Sequence, residues 1–370
     1  MNRRDFLLGA PTASAAATLG LCLRAAAATE YRRGGMVYRR FGRTGMYVSL
    51  LSFGSHPDPA DKVGLGPDRE PVMVGTGKNA LTQEGQARRD RLICRALDLG
   101  VNLFDVYEDE SQWEPVARVV RGRRGKVLIS LAIESGRADL ERAYKLFGHV
   151  DLYRLQPTEQ IVNHRIVENW DKCRKAKEAG KIRAIGVAAH TEPVMISALE
   201  ELEGIDFVFF PYNFIHDRAD YSRFLPLAIE RGVGIMAMKP LASGSIMRLD
   251  PRARPGAKPE FEQMQMWQRG RRQILPEALA ELTKSLDRMP DETLCMAAMR
   301  YVYSQPFLAT AVTGMFQEQL LEDNYRALTR YWELRSEERV ALDAARRVAR
   351  LCEADWLPPH YRWLEEQWRV

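Results

Sequence analysis

The sequence places several side chains that could hold or transfer a proton beside short apolar runs. Asp105 and Tyr107 lie in the run Val101–Tyr107, and His56 and His190 each follow another run. A tyrosine normally titrates near about pH 10 and needs a neighbouring cation to work near neutrality, whereas an imidazole titrates there unaided. These residue types predict general acid–base chemistry. Either histidine could equally be a hydrogen-bonded residue of the rim.

Eight apolar runs alternate with amphipathic segments, and they would position these groups. Most runs are continuous, which is typical of parallel strands covered on both faces. The runs are Leu50–Gly54, Val101–Tyr107, Val127–Ile133, Val150–Leu155, Ala184–Ala188, Phe207–Tyr212, Gly234–Lys239 and Thr310–Gly314. This alternation, without a break in composition, predicts one closed α/β barrel, the (β/α)₈ or TIM fold. An open sheet would place a glycine-rich phosphate turn after the first strand, and Gly54-Ser55-His56-Pro57 is not one.

The segments between the runs have helix boundaries. Thr82–Leu99 has Thr82 as its N-cap and Gly100 as its stop signal. Further helices are predicted over His164–Ala179, Pro193–Leu202 and Ala219–Arg231. Barrel enzymes carry their chemistry at the carboxyl ends of the strands. Polar residues at further strand ends, which we expect on the same face, are Glu134, Gln156 and Asn213.

Two connections are longer than a minimal barrel needs. Pro57–Asn79 is predicted to be a loop, and its Gly75-Thr76-Gly77-Lys78 lacks the full spacing of a phosphate loop. Leu241–Thr293 could shape the active site or be a solvated basic excursion with a helix of its own. Its basic residues include Arg252, Arg254, Lys258, Arg269, Arg271 and Arg272.

Several stretches resemble the aldo/keto reductase family and follow one another in that family's order. They are Tyr38–Ser49, Gly100–Asp105, Gly180–Val187, Met238–Gly244 and Arg300–Asn324. The resemblance implies a barrel over residues 37–330 with an N-terminal β-hairpin, and it leaves residues 331–370 as a C-terminal helical tail. Fold alone does not establish function, so the site residues decide.

The resemblance implies a catalytic tyrosine tuned by a lysine that an aspartate holds, with a histidine orienting the substrate oxygen. Asp105 stands at the aspartate position, and Glu110 stands where the tyrosine is expected. Tyr107 is therefore the candidate catalytic tyrosine, or else an aromatic residue filling the rim. Leu131 stands at the lysine position and Gln156 at the histidine position. Asp105 must accordingly find another cation or hydrogen-bond donors.

The resemblance also implies NADP or NAD as cofactor. Its implied contacts are Lys239, Leu241, Ser243, Gly244, Gly314 and Asn324. We interpret Lys239 as loop support or a phosphate contact rather than a catalytic residue. Ala188-Ala189 and Phe209 replace the side chains that usually hold the nicotinamide amide, and Met238 replaces the stacked aromatic residue. These replacements predict weak or absent turnover of ordinary aldehydes.

The first residues predict export. Arg3-Arg4 precedes the apolar stretch Phe6–Leu23, and Ala25–Ala28 offers a cleavage site. This pattern is typical of a twin-arginine signal peptide over residues 1–28, which sends a folded protein to the periplasm and leaves no membrane span after cleavage. A membrane anchor is the alternative, although the stretch is short and rich in small residues.

Charge and cysteine spacing limit the kinds of partner and binding site that the sequence predicts. The net charge of +5 comes from basic residues scattered among acidic ones, so no nucleic-acid surface is predicted. The cysteines that follow the predicted signal peptide form no Cys-x-x-Cys motif, so no metal site is predicted and no disulfide pairing can be deduced. They are Cys94, Cys173, Cys295 and Cys352. A small-molecule substrate or ligand is the expected partner, and the sequence indicates no particular protein partner.

Three functions stay open at this point. The first is an aldo/keto-type oxidoreductase of the cell envelope with an altered site. The second is a non-catalytic barrel, a pseudoenzyme, that binds a ligand or a partner protein. The third is a different acid–base reaction that uses Asp105, Tyr107 or His190.

Overall fold

The structure is a computed structural model of the 370-residue chain. It describes residues 30–65, 71–72, 78–107, 110–133, 140–157, 164–217, 221, 223–242, 246–247, 249–250, 252, 276–330 and 333–351. The strands are β1 Glu30–Arg33, β2 Met36–Arg40, β3 Tyr47–Ser49, β4 Leu51–Gly54, β5 Lys62–Leu65, β6 Pro71–Val72, β7 Lys78–Leu81, β8 Leu103–Val106, β9 Leu128–Ile133, β10 Val150–Leu155, β11 Ile182–Ala188, β12 Phe207–Pro211, β13 Gly234–Met238 and β14 Thr310–Gly314. The helices are α1 Gln83–Asp98, α2 Glu110–Val120, α3 Leu140–Phe147, α4 His164–Glu178, α5 Glu192–Glu201, α6 Phe224–Glu230, α7 Pro276–Leu286, α8 Leu294–Tyr303, α9 Glu318–Thr329 and α10 Ser336–Leu351.

Eight parallel strands close into a barrel in chain order, from β4 through β8 to β14 and back to β4. The closing pair aligns Ala311 of β14 with Leu51 of β4. Each of the eight predicted runs is one of these strands, so the predicted (β/α)₈ barrel is confirmed. Because all the strands are parallel, their carboxyl ends share one end of the barrel, which we call the mouth.

The barrel interior is packed with side chains, and alternation along each strand decides which residues point into it. Leu152 of β10 and Phe207 of β12 belong to the inner cluster. The residue between Leu152 and Arg154 is Tyr153, which belongs to the outer cluster between strands and helices. Two residues beyond Leu152, Arg154 therefore points inward at the mouth.

The opposite end of the barrel is closed by the predicted N-terminal hairpin. Strands β1, β2 and β3 form an antiparallel sheet there. The buried ring of Phe41 lies 5.5 Å from that of Phe207. A side chain at Gly234 would begin 2.7 Å from the Phe41 ring, so glycine is required where this plug meets β13. The mouth is therefore the end of the barrel that remains for a substrate.

Helix α1 begins and ends as the sequence predicted. The Thr82 side chain accepts a hydrogen bond from the Gly85 amide at 3.0 Å, which caps the helix. Gly100 follows with a φ of +91°, a conformation that favours glycine. The ends of α4 and α5 lie within one residue of their predicted ends, and α6 lies inside the longer segment predicted for it.

The connection after β4 differs from its prediction. Instead of an irregular loop over Pro57–Asn79, it contains an antiparallel sheet in which β5 pairs with both β6 and β7. Lys62 of β5 pairs with Leu81 of β7 across an intervening stretch rich in glycine and proline. These short strands have no local hydrophobic period, so the sequence analysis did not predict that they pair.

The described part of the long connection after β13 shares a hydrophobic cluster with α8 and α10. Arg252 binds Asp250 and donates to the carbonyl oxygen of Met289 at 2.8 Å. Helix α7 packs against α10, the described part of the predicted helical tail. Residues 1–29 and 352–370 lie outside the described residues, as do five of the predicted basic residues: Arg254, Lys258, Arg269, Arg271 and Arg272. Among the described residues, no helix is long and apolar enough to span a bilayer.

Candidate active site

A buried ion pair lies at the centre of the mouth. The Arg154 guanidinium donates to the Asp105 carboxylate through Nη1 at 2.5 Å and Nη2 at 3.1 Å. Neither side chain is more than 2% exposed. Ser130 completes the cluster, because its hydroxyl donates to Asp105 at 2.7 Å. Arg154 is therefore the cation that pairs with Asp105.

Arg154 is also in contact with two aromatic rings. Its guanidinium carbon lies 5.2 Å from the centre of the Tyr107 ring and 4.8 Å from that of Phe209. Burial alone would lower the pKa of Arg154. The charges of Asp105 and Tyr107, with hydrogen bonds to both side chains, outweigh burial and raise that pKa above its ordinary value. Arg154 is thus a permanent cation between Asp105 and Tyr107.

The backbone around Tyr107 is held in place by α2. The Tyr107 amide donates to the Gln112 side chain at 3.0 Å, and the Trp113 indole donates to the Tyr107 carbonyl oxygen. The half-buried Tyr107 ring lies 5.1 Å from the exposed His56 ring. His56 in turn lies 3.0 Å from the Gln112 amide nitrogen. Tyr107 is therefore at the mouth, with a fixed backbone and a partly accessible side chain.

Strand β9, on which the family resemblance implied a lysine, has no cation at the mouth. The assignment of the lysine position to Leu131 is wrong, because Leu131 packs in the outer cluster between strands and helices. Alternation points Ser130 and Ala132 inward instead. Neither of these residues is a lysine, so the inference that β9 supplies no lysine is unchanged.

Besides the Arg154 Nε atom, two polar atoms at the mouth are buried without a hydrogen-bond partner among the described residues. They are the side-chain nitrogen of Gln156, at the predicted histidine position, and the hydroxyl oxygen of Ser55. Leaving such a group unsatisfied costs about 1–3 kcal/mol. A polar ligand group at the mouth would relieve that cost.

A second polar pair lies at the ends of β11 and β13. The Lys239 ammonium nitrogen is 2.9 Å from Nε2 of His190. Burial lowers the pKa of Lys239 to about 7. Asn213 fixes the Lys239 backbone, because its amide nitrogen donates to the Lys239 carbonyl oxygen at 3.1 Å. The pair brings together two residues that the sequence could only place separately.

The wall where the nicotinamide amide would bind is apolar. Ala188, Ala189 and Phe209 are each at most 4% exposed, and none has a polar side chain. Phe209 instead packs against Arg154. Met238 is also buried at the end of β13. These residues do not fit the amide contacts that the family resemblance implied.

The remaining predicted cofactor contacts fit only in part. Gly314 is exposed, and a side chain there would meet no atom within 4 Å, so a ligand could approach its backbone closely. Asn324 is buried, and its amide donates to the Thr313 hydroxyl at 3.2 Å. Leu241 packs between the two larger core clusters. Ser243 and Gly244 lie outside the described residues. The described residues thus do not establish a complete cofactor cradle.

Sequence reasoning did not identify Arg154 as a site residue. The sequence nevertheless contained a signal for it. Leu152, Arg154 and Gln156 share one face of a strand, and the neighbouring strands are apolar runs. A charged residue on the inward face of a barrel strand demands a partner. No cluster of three or more potential metal ligands exists among the described residues.

Comparisons with known proteins agree with this architecture. The protein named uncharacterized oxidoreductase YqkF of Bacillus subtilis is 22% identical over 290 residues, which cover 72% of this chain and 86% of that protein. The protein named probable voltage-gated potassium channel subunit beta of Arabidopsis thaliana is 24% identical, covering 79% and 91%. The aldo-keto reductase AKR11C1 from Bacillus halodurans superposes with a TM-score of 0.60 at 20% identity, covering 84% and 96%. The sequence model of the aldo/keto reductase family matches residues 71–347, and the chain belongs to that family.

Proposed function

We propose that this protein is an oxidoreductase of the aldo/keto type, acting on a carbonyl or alcohol group, with Tyr107 as the proton donor and acceptor. The observation that carries the proposal is the position of Arg154. Its guanidinium binds Asp105 at 2.5 Å and lies 5.2 Å from the Tyr107 ring. A cation beside a phenol and tied to a buried carboxylate is the arrangement that tyrosine acid–base chemistry needs.

Each residue of this centre has a distinct role. A carbonyl oxygen gains negative charge as its carbon is reduced, and the Tyr107 hydroxyl would donate a proton to it. Arg154 would stabilise the negative charge left on the Tyr107 oxygen, because the guanidinium keeps its charge at any working pH. Asp105 and Ser130 orient Arg154. In the reverse direction, Tyr107 would accept the proton of an alcohol.

The cofactor is a separate part of the proposal. NADP or NAD is expected from the family, and the open backbone at Gly314 supports binding of a ligand near that strand end. The apolar side chains of Ala188, Ala189 and Phe209 provide no polar contact for a nicotinamide amide. We therefore derive no hydride step and include both nucleotides in the test.

The test measures oxidation of NADPH and of NADH by the purified chain with a panel of aldehydes and ketones. We expect weak turnover that Tyr107→Phe lowers by about 10²–10⁴-fold, the usual contribution of a positioned acid. Arg154→Lys should retain part of the activity because it keeps a cation. Tyr47→Phe, at an exposed tyrosine of β3, is the control. Equal activity of Tyr107→Phe and the control would refute the assigned role.

A non-catalytic binding barrel is the second candidate, and the apolar amide wall favours it. Ala188, Ala189 and Phe209 could accommodate an apolar ligand group where the family holds a nicotinamide. The Arabidopsis thaliana relative is named as a channel subunit, so a partner protein is a further form of this candidate. Saturable quenching of tryptophan fluorescence by NADPH without turnover of any carbonyl would favour binding over catalysis.

We also propose that the folded chain is exported to the periplasm. Arg3-Arg4 before the apolar stretch Phe6–Leu23 supports the twin-arginine route. Fractionation of cells that express the full chain should place it in the periplasm. Replacing both arginines with lysine should retain it in the cytoplasm, and an unchanged distribution would contradict this route.

A further inference from the structure

We propose that Lys239 and His190 form a second reactive site at the mouth, where the Lys239 amine condenses with an aldehyde or ketone to form an imine. His190 would move the proton in this step. The proposal goes beyond reduction at Tyr107 and does not depend on it. The shared feature is the substrate class, a small carbonyl compound.

The two side chains converge across the end of an intervening strand. His190 follows β11 and Lys239 follows β13, with β12 between them in the barrel. Their nitrogens are nevertheless 2.9 Å apart. Both residues are partly exposed at the mouth. A nucleophile within hydrogen-bond distance of a base is the geometry of covalent catalysis.

The backbone holds Lys239 in an unusual conformation. Its φ of +54° lies in the left-handed region, which costs a residue other than glycine about 1–2 kcal/mol. The Lys239 carbonyl oxygen accepts hydrogen bonds from Asn213 at 3.1 Å and from the Ala242 amide at 2.9 Å. Asn213 is itself fixed, because its oxygen accepts from the amides of Ile215 and His216 at 3.0 Å. Glycine would relieve the strain but would remove the amine, and strained positions cluster at functional sites.

The chemistry of the amine agrees with this geometry. Burial lowers the pKa of Lys239 to about 7, so near neutral pH about half of the molecules carry the neutral amine. An ordinary lysine, with a pKa of about 10.4, is neutral in fewer than about one molecule in a thousand at that pH. Only the neutral amine is a nucleophile, and desolvated lysines form Schiff bases for this reason.

The proposed step balances without a redox partner. The lone pair of the Lys239 nitrogen forms a bond to the carbonyl carbon, and the electron pair of the C=O bond moves to oxygen. His190 accepts a proton from the nitrogen and returns one to the oxygen. The resulting carbinolamine loses water as the C=N bond forms. One amine and one carbonyl thus give one imine and one water.

Reductive trapping of the full chain tests the proposal. The protein is incubated at neutral pH with glycolaldehyde and sodium cyanoborohydride, which delivers hydride to an imine and leaves a stable secondary amine. Peptide mass spectrometry then locates the adduct. We expect Lys239 to be labelled at least about 10-fold faster than exposed lysines such as Lys126, because of its larger neutral fraction. This comparison is made within the wild-type protein and needs no variant.

Variants then separate the roles. Lys239→Gln should abolish the fast adduct, whereas Lys126→Gln, at the far end of β9, should leave it unchanged. His190→Gln keeps a polar side chain but removes the base, and it should slow trapping at Lys239 by about 10²-fold. Tyr107→Phe should leave trapping intact, so loss of reduction at Tyr107 and loss of imine formation are distinguishable.

Each outcome of these experiments supports or overturns a named part of the proposal. Labelling of Lys239 no faster than that of Lys126 would overturn the proposal. A fast adduct that is insensitive to His190→Gln would overturn the part assigned to His190. A fast adduct at Lys239 that Lys239→Gln abolishes and His190→Gln slows would support the whole.

Discussion

Replacing Arg154 with methionine should strongly lower the free energy of unfolding, because Asp105 would lose its counter-ion. Methionine has an unbranched side chain and fills part of the same volume, but it carries no charge. The Asp105 carboxylate, which is 1% exposed, would keep the Ser130 hydroxyl and lose both guanidinium contacts. A buried carboxylate would then be left without its counter-ion.

The magnitude follows from that burial. Removing one partner of a buried ion pair typically costs about 3–5 kcal/mol, because the remaining charge is not solvated. That loss corresponds to a change of about one hundredfold to a few thousandfold in the unfolding equilibrium. Asp105→Asn should cost a comparable amount, because it leaves the Arg154 cation unpaired. In the double variant both charges are gone, so its cost should fall at least about 2 kcal/mol below the sum of the two single costs.

Urea denaturation followed by tryptophan fluorescence at pH 7 measures the four free energies of unfolding. The control is Arg183→Met, which removes a half-exposed arginine that contacts Asp151 at 2.8 Å. Arg124 also binds Asp151, so this control should cost only about 0–1 kcal/mol. If the Arg154 and Asp105 effects add within about 0.5 kcal/mol, the two residues do not form the coupled pair on which the proposed function rests.

Three further predictions concern other parts of the molecule. Gly54→Ala would place a carbon 2.5 Å from the Thr313 carbonyl oxygen and should cost about 1–3 kcal/mol in urea denaturation, whereas Gly314→Ala meets open space and should change stability by less than about 0.5 kcal/mol. Burial raises the pKa of Cys173 to about 12, so iodoacetamide should leave it unlabelled in the native protein at mildly alkaline pH and label it in urea, as read by mass spectrometry. Since the pKa of Lys239 is lowered to about 7, its rate of reductive trapping should rise as pH passes through that value and then level off, and a rate that keeps rising toward pH 10 would contradict the shift.

Much of the fold could be predicted from the sequence because its elements have local signals. The eight strands are continuous apolar runs, and the boundaries of α1 follow from Thr82 and Gly100. The small sheet of β5, β6 and β7 could not be predicted, because it depends on pairing between short strands with no hydrophobic period. Local patterning determines which segments are regular, whereas pairing between distant segments depends on the folded whole.

The sequence predicts that Asp105 and Tyr107 lie at the end of a strand, and the structure has them at the end of β8. The lysine position was misassigned to Leu131 because one residue of register reverses the face of every side chain in a strand. The pairing of Lys239 with His190 could not be predicted, because it depends on a left-handed backbone at a residue other than glycine. Sequence patterns carry no signal for that conformation.

The ion pair at the mouth gives Asp105 and Tyr107 a buried cation that comes from β10. In a closed barrel, inward side chains from neighbouring strands meet at one level, so a charge required at the centre can come from more than one strand. Asp105 on β8 is separated from β10 by β9, whose inward side chains at this level are Ser130 and Ala132. Both are small, and arginine is long enough to reach across them to the carboxylate. An arginine cannot lose its proton as a lysine can, so Arg154 would stabilise charge on Tyr107 without exchanging protons itself. On this reasoning, enlarging Ala132 to leucine should separate Arg154 from Asp105 and reduce both stability and turnover, whereas Leu131→Met, on the outer face, should affect only packing.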